Sequence, residues 1–242
     1  MRLFDASISD SVFLFLKNDI KTWETAQFAN IKLCQACGIT NFFSNDTEIQ
    51  QIANELNGIN YSVVCEDRAE YGDFQTNQSL TQQITTQLKK EGINPQIVIE
   101  PTCGKGNFIL AVLKTFNNIE KIYGVEIQEK YIWEAKFNIL DFFLNHPDRI
   151  KPEIQIVHSS IFDFDYRSIK NNVKEKELLI IGNPPWVTNS ALSAMDSKNL
   201  PKKSNFKRQK GLDAMTGKGN FDIAEYITID LLQNFGRCKG NM

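Results

Sequence analysis

The chain has 242 residues, 42% of them hydrophobic and 11% aromatic, which suits one sizeable core with a small appendage and excludes disordered, collagenous and disulfide-scaffold classes. Lys and Arg number 27 against 29 Asp and Glu, a formal net charge of -2, so overall basicity cannot hold a nucleic acid and any phosphate-binding charge must be local. Five cysteines, an odd number, and a start (MRLFDASISDS) without a basic segment leading into an apolar run predict free thiols in a reducing, cytoplasmic setting. The sequence has no run near the roughly 18 apolar residues of a membrane span, so no membrane partner is expected.

Residues 1–60 carry helical patterning: Val12, Phe13, Phe15 and Leu16, then Ile31, Leu33 and Ile39, then Ile49, Ile52 and Leu56 recur at three- and four-residue spacing. Asn57-Gly58 ends the last of these helices. The apolar run 59–65 and the polar, acidic stretch 66–73 then place a boundary, giving a helical region over 1–65 and a second unit over 66–242.

Beyond it, helix and strand alternate. Residues 79–90 form a helix with Leu80, Ile84 and Leu88 on one face, stopped by Gly92. Strands are predicted at 96–100, 121–127, 153–158 and 177–182. Helices fall at 107–116, along Ile132, Ala135, Ile139 and Phe142, and at 221–235. Short apolar strands alternating with helices predict an α/β fold, a mostly parallel, doubly wound sheet covered on both faces.

Ligands of such sheets bind outside the carboxyl ends of the strands. The first strand runs into Glu100-Pro-Thr-Cys-Gly-Lys-Gly-Asn-Phe, where Gly104 and Gly106 permit a tight turn and close approach of a ligand to the backbone. Ile109 stands where the third glycine of a dinucleotide fingerprint would be, which disfavours a dinucleotide oxidoreductase. Glu126 at the end of the second strand is placed to meet ribose hydroxyls, or is a solvated strand-end charge. The fourth strand ends in Gly182-Asn-Pro-Pro-Trp186. Two prolines hold Asn183 at the strand tip. Its amide, the proline carbonyls and the flat indole of Trp186 suit a planar base with an exocyclic amine.

In order along the chain, YGDFQTNQSLTQQI, VIEPTCGKGNFIL, IYGVEI, HSSIFDFD, LIIGNPPW and GNFDIAEY resemble motifs X, I, II, III, IV and V of the gamma group of S-adenosylmethionine-dependent DNA adenine-N6 methyltransferases of restriction-modification systems. The resemblance covers roughly residues 66–235 and implies a Rossmann-like class I methyltransferase sheet as the catalytic domain. It implies that Phe74, Gln75, Thr76, Glu100, Thr102, Gly104 and Gly106 line S-adenosylmethionine. Glu126, with Ile127, takes the ribose, Ser160 and Ile161 flank the cofactor adenine, and Asn183 borders the same site. The family often has Asp where Ser160 stands, with Asp163 an alternative here. Asn183, Pro184, Pro185 and Trp186 would carry catalysis, the Asn183 side chain and the Pro184 carbonyl accepting both hydrogens of the target amine while the flipped base stacks on Trp186.

Lys202, Lys203, Lys207, Arg208, Lys210 and Lys218 supply the local positive charge that double-stranded DNA requires, or a solvated loop. Asn-Pro-Pro-aromatic also occurs in methyltransferases of protein glutamine and of ribosomal-RNA guanine, which leaves these as rivals, together with a non-catalytic binding module. The chain stops at Gly236-Arg-Cys-Lys-Gly-Asn-Met242, where the class's next strand would begin. The expected sheet is therefore incomplete at the C-terminus, the exposed edge of the fourth strand calls for a C-terminal partner chain or target-recognition region, and a truncated chain is not expected to act alone. Cys34-Gln-Ala-Cys37 has zinc-like spacing with no second pair, so no metal is expected. His146 and His158 are read as structural, and Cys103 as open to thiol reagents.

Overall fold

The structure, a computed structural model, describes residues 6–58, 75–173, 176–186, 223–238 and 240–241. The predicted boundary at 66–73 lies outside them. Five parallel strands, β1 (Ile97–Glu100), β2 (Lys121–Glu126), β3 (Glu153–His158), β4 (Leu178–Ile180) and β5 (Gly240–Asn241), stand in the order β3-β2-β1-β4-β5. The chain winds outward from β1 to β3 and returns to β4 on the other side of β1. This reversal between β1 and β4 opens a crevice at their carboxyl ends.

Side-chain alternation sorts the strand residues between two cores. Val98, Ile122, Ile154, Ile156 and Leu179 face one cluster, which also takes α5 (Asn107–Thr115) and α6 (Glu129–Asn145). Ile97, Ile99, Tyr123, Val125, Leu178 and Ile180 face the other, with α7 (Arg167–Asn172) and a late helix, here α8 (Ile223–Phe235). A helix preceding the sheet, α4 (Gln78–Lys90), lies along α5, where the Thr85 and Thr115 hydroxyls meet at 2.9 Å. The strands and helices expected beyond residue 78 are found among the described residues, with ends that match or differ by one or two residues; residues 221–222 of the last helix lie outside them.

The N-terminal helices α1 (Asp10–Asp19), α2 (Ala26–Cys37) and α3 (Asp46–Gly58) join the first cluster through Val12, Leu16, Leu33, Ile49, Ile52 and Leu56. Ile39, expected on a helical face with Ile31 and Leu33, does something else. Gly38 ends α2 at φ 81°, and the chain turns extended, so that Ile39 bridges Ile154 in parallel. Ile31 itself is left exposed. At Gly38 a Cβ would stand 2.2 Å from the Pro152 carbonyl oxygen, so the close approach admits only glycine. Asn41 continues the pairing with its side chain: Nδ2 donates to the Ile156 carbonyl at 2.8 Å and Oδ1 accepts from the Ile156 N–H at 3.1 Å. This segment closes the β3 edge, which would otherwise present unpaired backbone groups. Asn41→Ala is expected to lower unfolding free energy by about 1–3 kcal/mol, read from the denaturant midpoint. A loss under about 0.5 kcal/mol would show that water serves this edge as well.

The opposite edge also differs from expectation. Leu178 and Leu179 of β4 pair with Gly240 and Asn241, so the edge predicted to be bare is covered there.

A lysine is buried where α6 meets the N-terminal helices. Lys136 is 3% exposed, donates to the Phe42 carbonyl at 2.6 Å and lies over the rings of Trp133 and Phe42. Burial pulls its pKa down to about 8, against the opposing pull of Glu48 and Glu129. Between that value and the ordinary lysine range the unfolded chain binds more protons than the folded one. Stability should therefore rise as pH climbs from about 8 towards 10.5, by at most about 3 kcal/mol. Thermal unfolding of Lys136→Met beside the wild type checks this, because the variant should lack that rise.

Candidate active site

The Glu100–Gly106 turn is held from several sides at once. Glu126, 8% exposed, accepts three backbone N–H groups: Gly104 at 2.8 Å on Oε2, and Ile127 and Gln128 at 2.9 and 2.8 Å on Oε1. It therefore ties the tip of the turn to the end of β2. Gln75 presses from the other side. Its Oε1 accepts from the Lys105 N–H at 3.1 Å, and a Cβ on Gly104 (φ 50°) would meet its side chain at 2.4 Å. Asn107 fastens the start of α4 to the turn by donating to the Thr76 carbonyl at 2.8 Å. Gly106, at φ 79°, forms the N-cap of α5.

Glu100 lies beneath the turn, 2% exposed, and accepts from the Ile109 N–H at 3.2 Å. Burial pushes its carboxyl well above the usual range, the Ile109 N–H opposing and Glu126 adding to the effect. Cys103 lies at its side. The residue is 3% exposed and burial, with Glu100 and Glu126, drives its pKa well up, which argues against the reactivity towards thiol reagents expected from its place in the turn. Its Sγ packs where a Cβ on Gly124 would be, at 3.2 Å. The Thr102 Oγ1 is buried and has no hydrogen-bond partner among the described residues.

β4 delivers Asn183 beside this turn. The Ile181 N–H donates to the Ile99 carbonyl at 3.0 Å, and a Cβ on Gly182 would stand 3.3 Å from Pro101, so the two strand ends run close together. Asn183 Oδ1 accepts from the Trp186 indole N–H at 2.9 Å. An indole nitrogen only donates, so this bond fixes which end of the amide is oxygen, and the carbonyl retains a second lone pair. Trp186 is 69% exposed, with its ring open to solvent.

A cleft open to solvent joins these parts. Of the residues expected from sequence, Gln75, Thr76, Glu100, Thr102, Gly104, Glu126, Ile127, Ile161, Asn183 and Pro185 line it. Gly106, Ser160, Pro184 and Trp186 are not among its lining residues, and Asp163 is exposed. Phe74 and the basic residues Lys202, Lys203, Lys207, Arg208, Lys210 and Lys218 lie outside the described residues.

The sequence reading missed Asn107, Gln128, Tyr131, Ser159, Phe162, Ile223 and Ile227, which also line the cleft. Ile223 and Ile227 carried a usable signal, being one turn apart at the start of the helix expected over 221–235. His158 Nε2 lies 2.9 Å from the Ile127 carbonyl, and His146 caps α6 with Nδ1 2.8 Å from the Phe142 carbonyl. Cys34 and Cys37 lie on α2, where burial pushes the Cys37 thiol up to about 12. Among the described residues no three His, Cys, Asp or Glu side chains gather as a metal site, and no helix is long and apolar enough to cross a membrane.

The sequence has relatives. M.NspV, a type II methyltransferase of Nostoc sp., is 45% identical over 173 residues, 72% of this chain and 34% of that protein. M.BanIII, a type II methyltransferase of Aneurinibacillus aneurinilyticus, is 29% identical over 157 residues, 59% of this chain and 26% of that one. The chain thus spans about a third or less of the length of these relatives. Among solved structures, the type IIG restriction endonuclease BpuSI aligns with a TM-score of 0.43 at 17% identity, over 69% of this chain and 19% of that one. The sequence profile described as N-6 DNA Methylase matches residues 62–238, a span that holds the glycine turn, Glu126 and the Asn183 tip, and the chain belongs to the N-6 DNA methylase family.

Proposed function

We propose that this chain binds S-adenosylmethionine and transfers its methyl group to the N6 amine of adenine in double-stranded DNA. The observation that carries the reading is the meeting, in one cleft, of a backbone turn tethered to Glu126 with the Asn183 amide oxygen at the adjacent strand end. The donors and acceptors present suit the cofactor. The orphaned Thr102 hydroxyl and the Gly104 turn would receive its methionine end, Glu126 its ribose hydroxyls, and Ile161, Phe162, Ile223 and Ile227 offer an apolar slot for its base. Glu100, whose carboxyl burial pushes well above the usual range, would ionise beside an ammonium group, releasing its proton to solvent. When bound, S-adenosylmethionine supplies an electrophilic methyl sulfonium.

The chain's part is to position and activate the nucleophile. An aromatic exocyclic amine is weak because its lone pair is delocalised into the ring. Hydrogen bonds accepted by the Asn183 Oδ1 and the Pro184 carbonyl favour a tetrahedral nitrogen as positive charge develops there. The exposed Trp186 ring gives the extruded base a stacking surface worth about 1–3 kcal/mol. Lys202, Lys203, Lys207, Arg208, Lys210 and Lys218 would neutralise backbone phosphates, and a C-terminal partner or target-recognition region would read the sequence. We place this chemistry in the cytoplasm, which suits the four described cysteines, all free.

The test is transfer of labelled methyl groups from S-adenosylmethionine to duplex DNA, followed by digestion to nucleosides. N6-methyladenine is expected. Label found in guanine of RNA or in glutamine of protein, with none in DNA, would overturn the substrate assignment.

A further inference from the structure

Two residues on the helix behind the glycine turn have no place in the chemistry above, yet they are built into it. Glu134 of α6 is 4% exposed, and a buried carboxylate without a partner is expensive to keep. It pairs with the Lys105 ammonium at 3.1 Å, and that ammonium also lies over the Tyr131 ring, 5.5 Å from its centre. One turn further along α6, Asn138 Nδ2 donates to the Lys105 carbonyl at 2.9 Å. The same turn presents Ala135, whose Cβ would sit 3.4 Å from a Cβ on Gly106. Lys105 is thus gripped by side chain and backbone from a single helix face, between two glycines that by themselves allow many conformations.

We propose that Glu134 and Asn138 are positioning residues that clamp Lys105 and thereby hold the 103–106 backbone in its cofactor-receiving shape before the cofactor arrives. This rests on the reading of the cleft as a cofactor site. A loop fixed in advance loses less conformational freedom on binding, so the clamp acts on affinity rather than on the transfer step. α6 can serve as the anvil because it is fastened elsewhere: Lys136, on its opposite face, bonds the Phe42 carbonyl, and nearer its C-terminal end the Ser9 hydroxyl donates to Asp141.

Calorimetric titration with S-adenosylhomocysteine, combined with amide exchange of the ligand-free protein, tests the clamp. Glu134→Gln and Asn138→Ala should each weaken binding about fivefold to tenfold, the worth of one hydrogen bond. The 103–106 amides should exchange faster while those of 97–100 keep their wild-type protection. Lys105→Met should add little to Glu134→Gln in a double-mutant cycle, because the pair acts together. Affinities within twofold of wild type, or exchange that quickens equally in β1 and the turn, would overturn the clamp. A folded wild-type chain that fails to bind the probe would instead overturn the cofactor site on which the clamp depends.

Discussion

Asn183→Ala should abolish methyl transfer and leave cofactor affinity nearly unchanged. Among the described residues, the Asn183 Oδ1 is the one side-chain acceptor at the β4 tip in the cleft lining, and it accepts the Trp186 indole with one lone pair, leaving the other for an incoming amine. Removing a group aimed at developing charge typically costs about 10²–10³ in rate. The loss here should reach at least that range, because the same oxygen also orients the amine towards the methyl donor. Asn183→Asp separates the two roles. It keeps an oxygen at the position and adds negative charge, so part of the activity should return relative to alanine. The measurement is single-turnover methylation of a duplex at saturating cofactor, with affinity measured separately by titration. A transfer rate within tenfold of wild type for the alanine variant would remove Asn183 from the mechanism.

The parts of this site that the sequence announces are those whose chemistry is local. Glycines at 104 and 106 after a β-branched strand, an acidic residue ending the next strand and two prolines after Asn183 each force a backbone shape within a few residues, and each stands at a strand tip in the structure. What stays hidden depends on distance. Asn138 and Lys105 are 33 residues apart, and nothing in the amphipathic pattern of α6 separates a glutamate gripping a loop from one facing water. Ile39 misled for the opposite reason. Its spacing from Ile31 and Leu33 fits a helix, but the glycine between them ends α2 and gives the residue to a sheet edge. Periodicity reports that a side chain is buried and cannot say against which element. Likewise Cys103 looked reactive because it sits in a turn, whereas Gly124 leaves a space on β2 that its sulfur fills.

Glu126→Gln should reduce S-adenosylmethionine affinity by about 10²-fold and loosen the glycine turn at the same time. The carboxylate accepts from the Gly104, Ile127 and Gln128 N–H groups, and bonds to an ionised acceptor are worth about 1.5–3 kcal/mol each. An amide of the same shape can serve the Ile127 and Gln128 donors with its oxygen, but it must then turn its NH₂ towards the Gly104 N–H, setting donor against donor. The tether to the turn is lost, and so is one of the acceptors offered to the ribose. Glu100→Gln is the informative contrast. Burial pushes the Glu100 carboxyl well above its usual range and so favours the neutral form that an amide imitates; Glu100→Gln should therefore leave the melting temperature close to wild type, whereas Glu126→Gln should lower it by several degrees. Binding by Glu126→Gln within threefold of wild type, at an unchanged melting temperature, would mean that the turn is held by Gln75 and α6 alone and that Glu126 is only a strand-end charge.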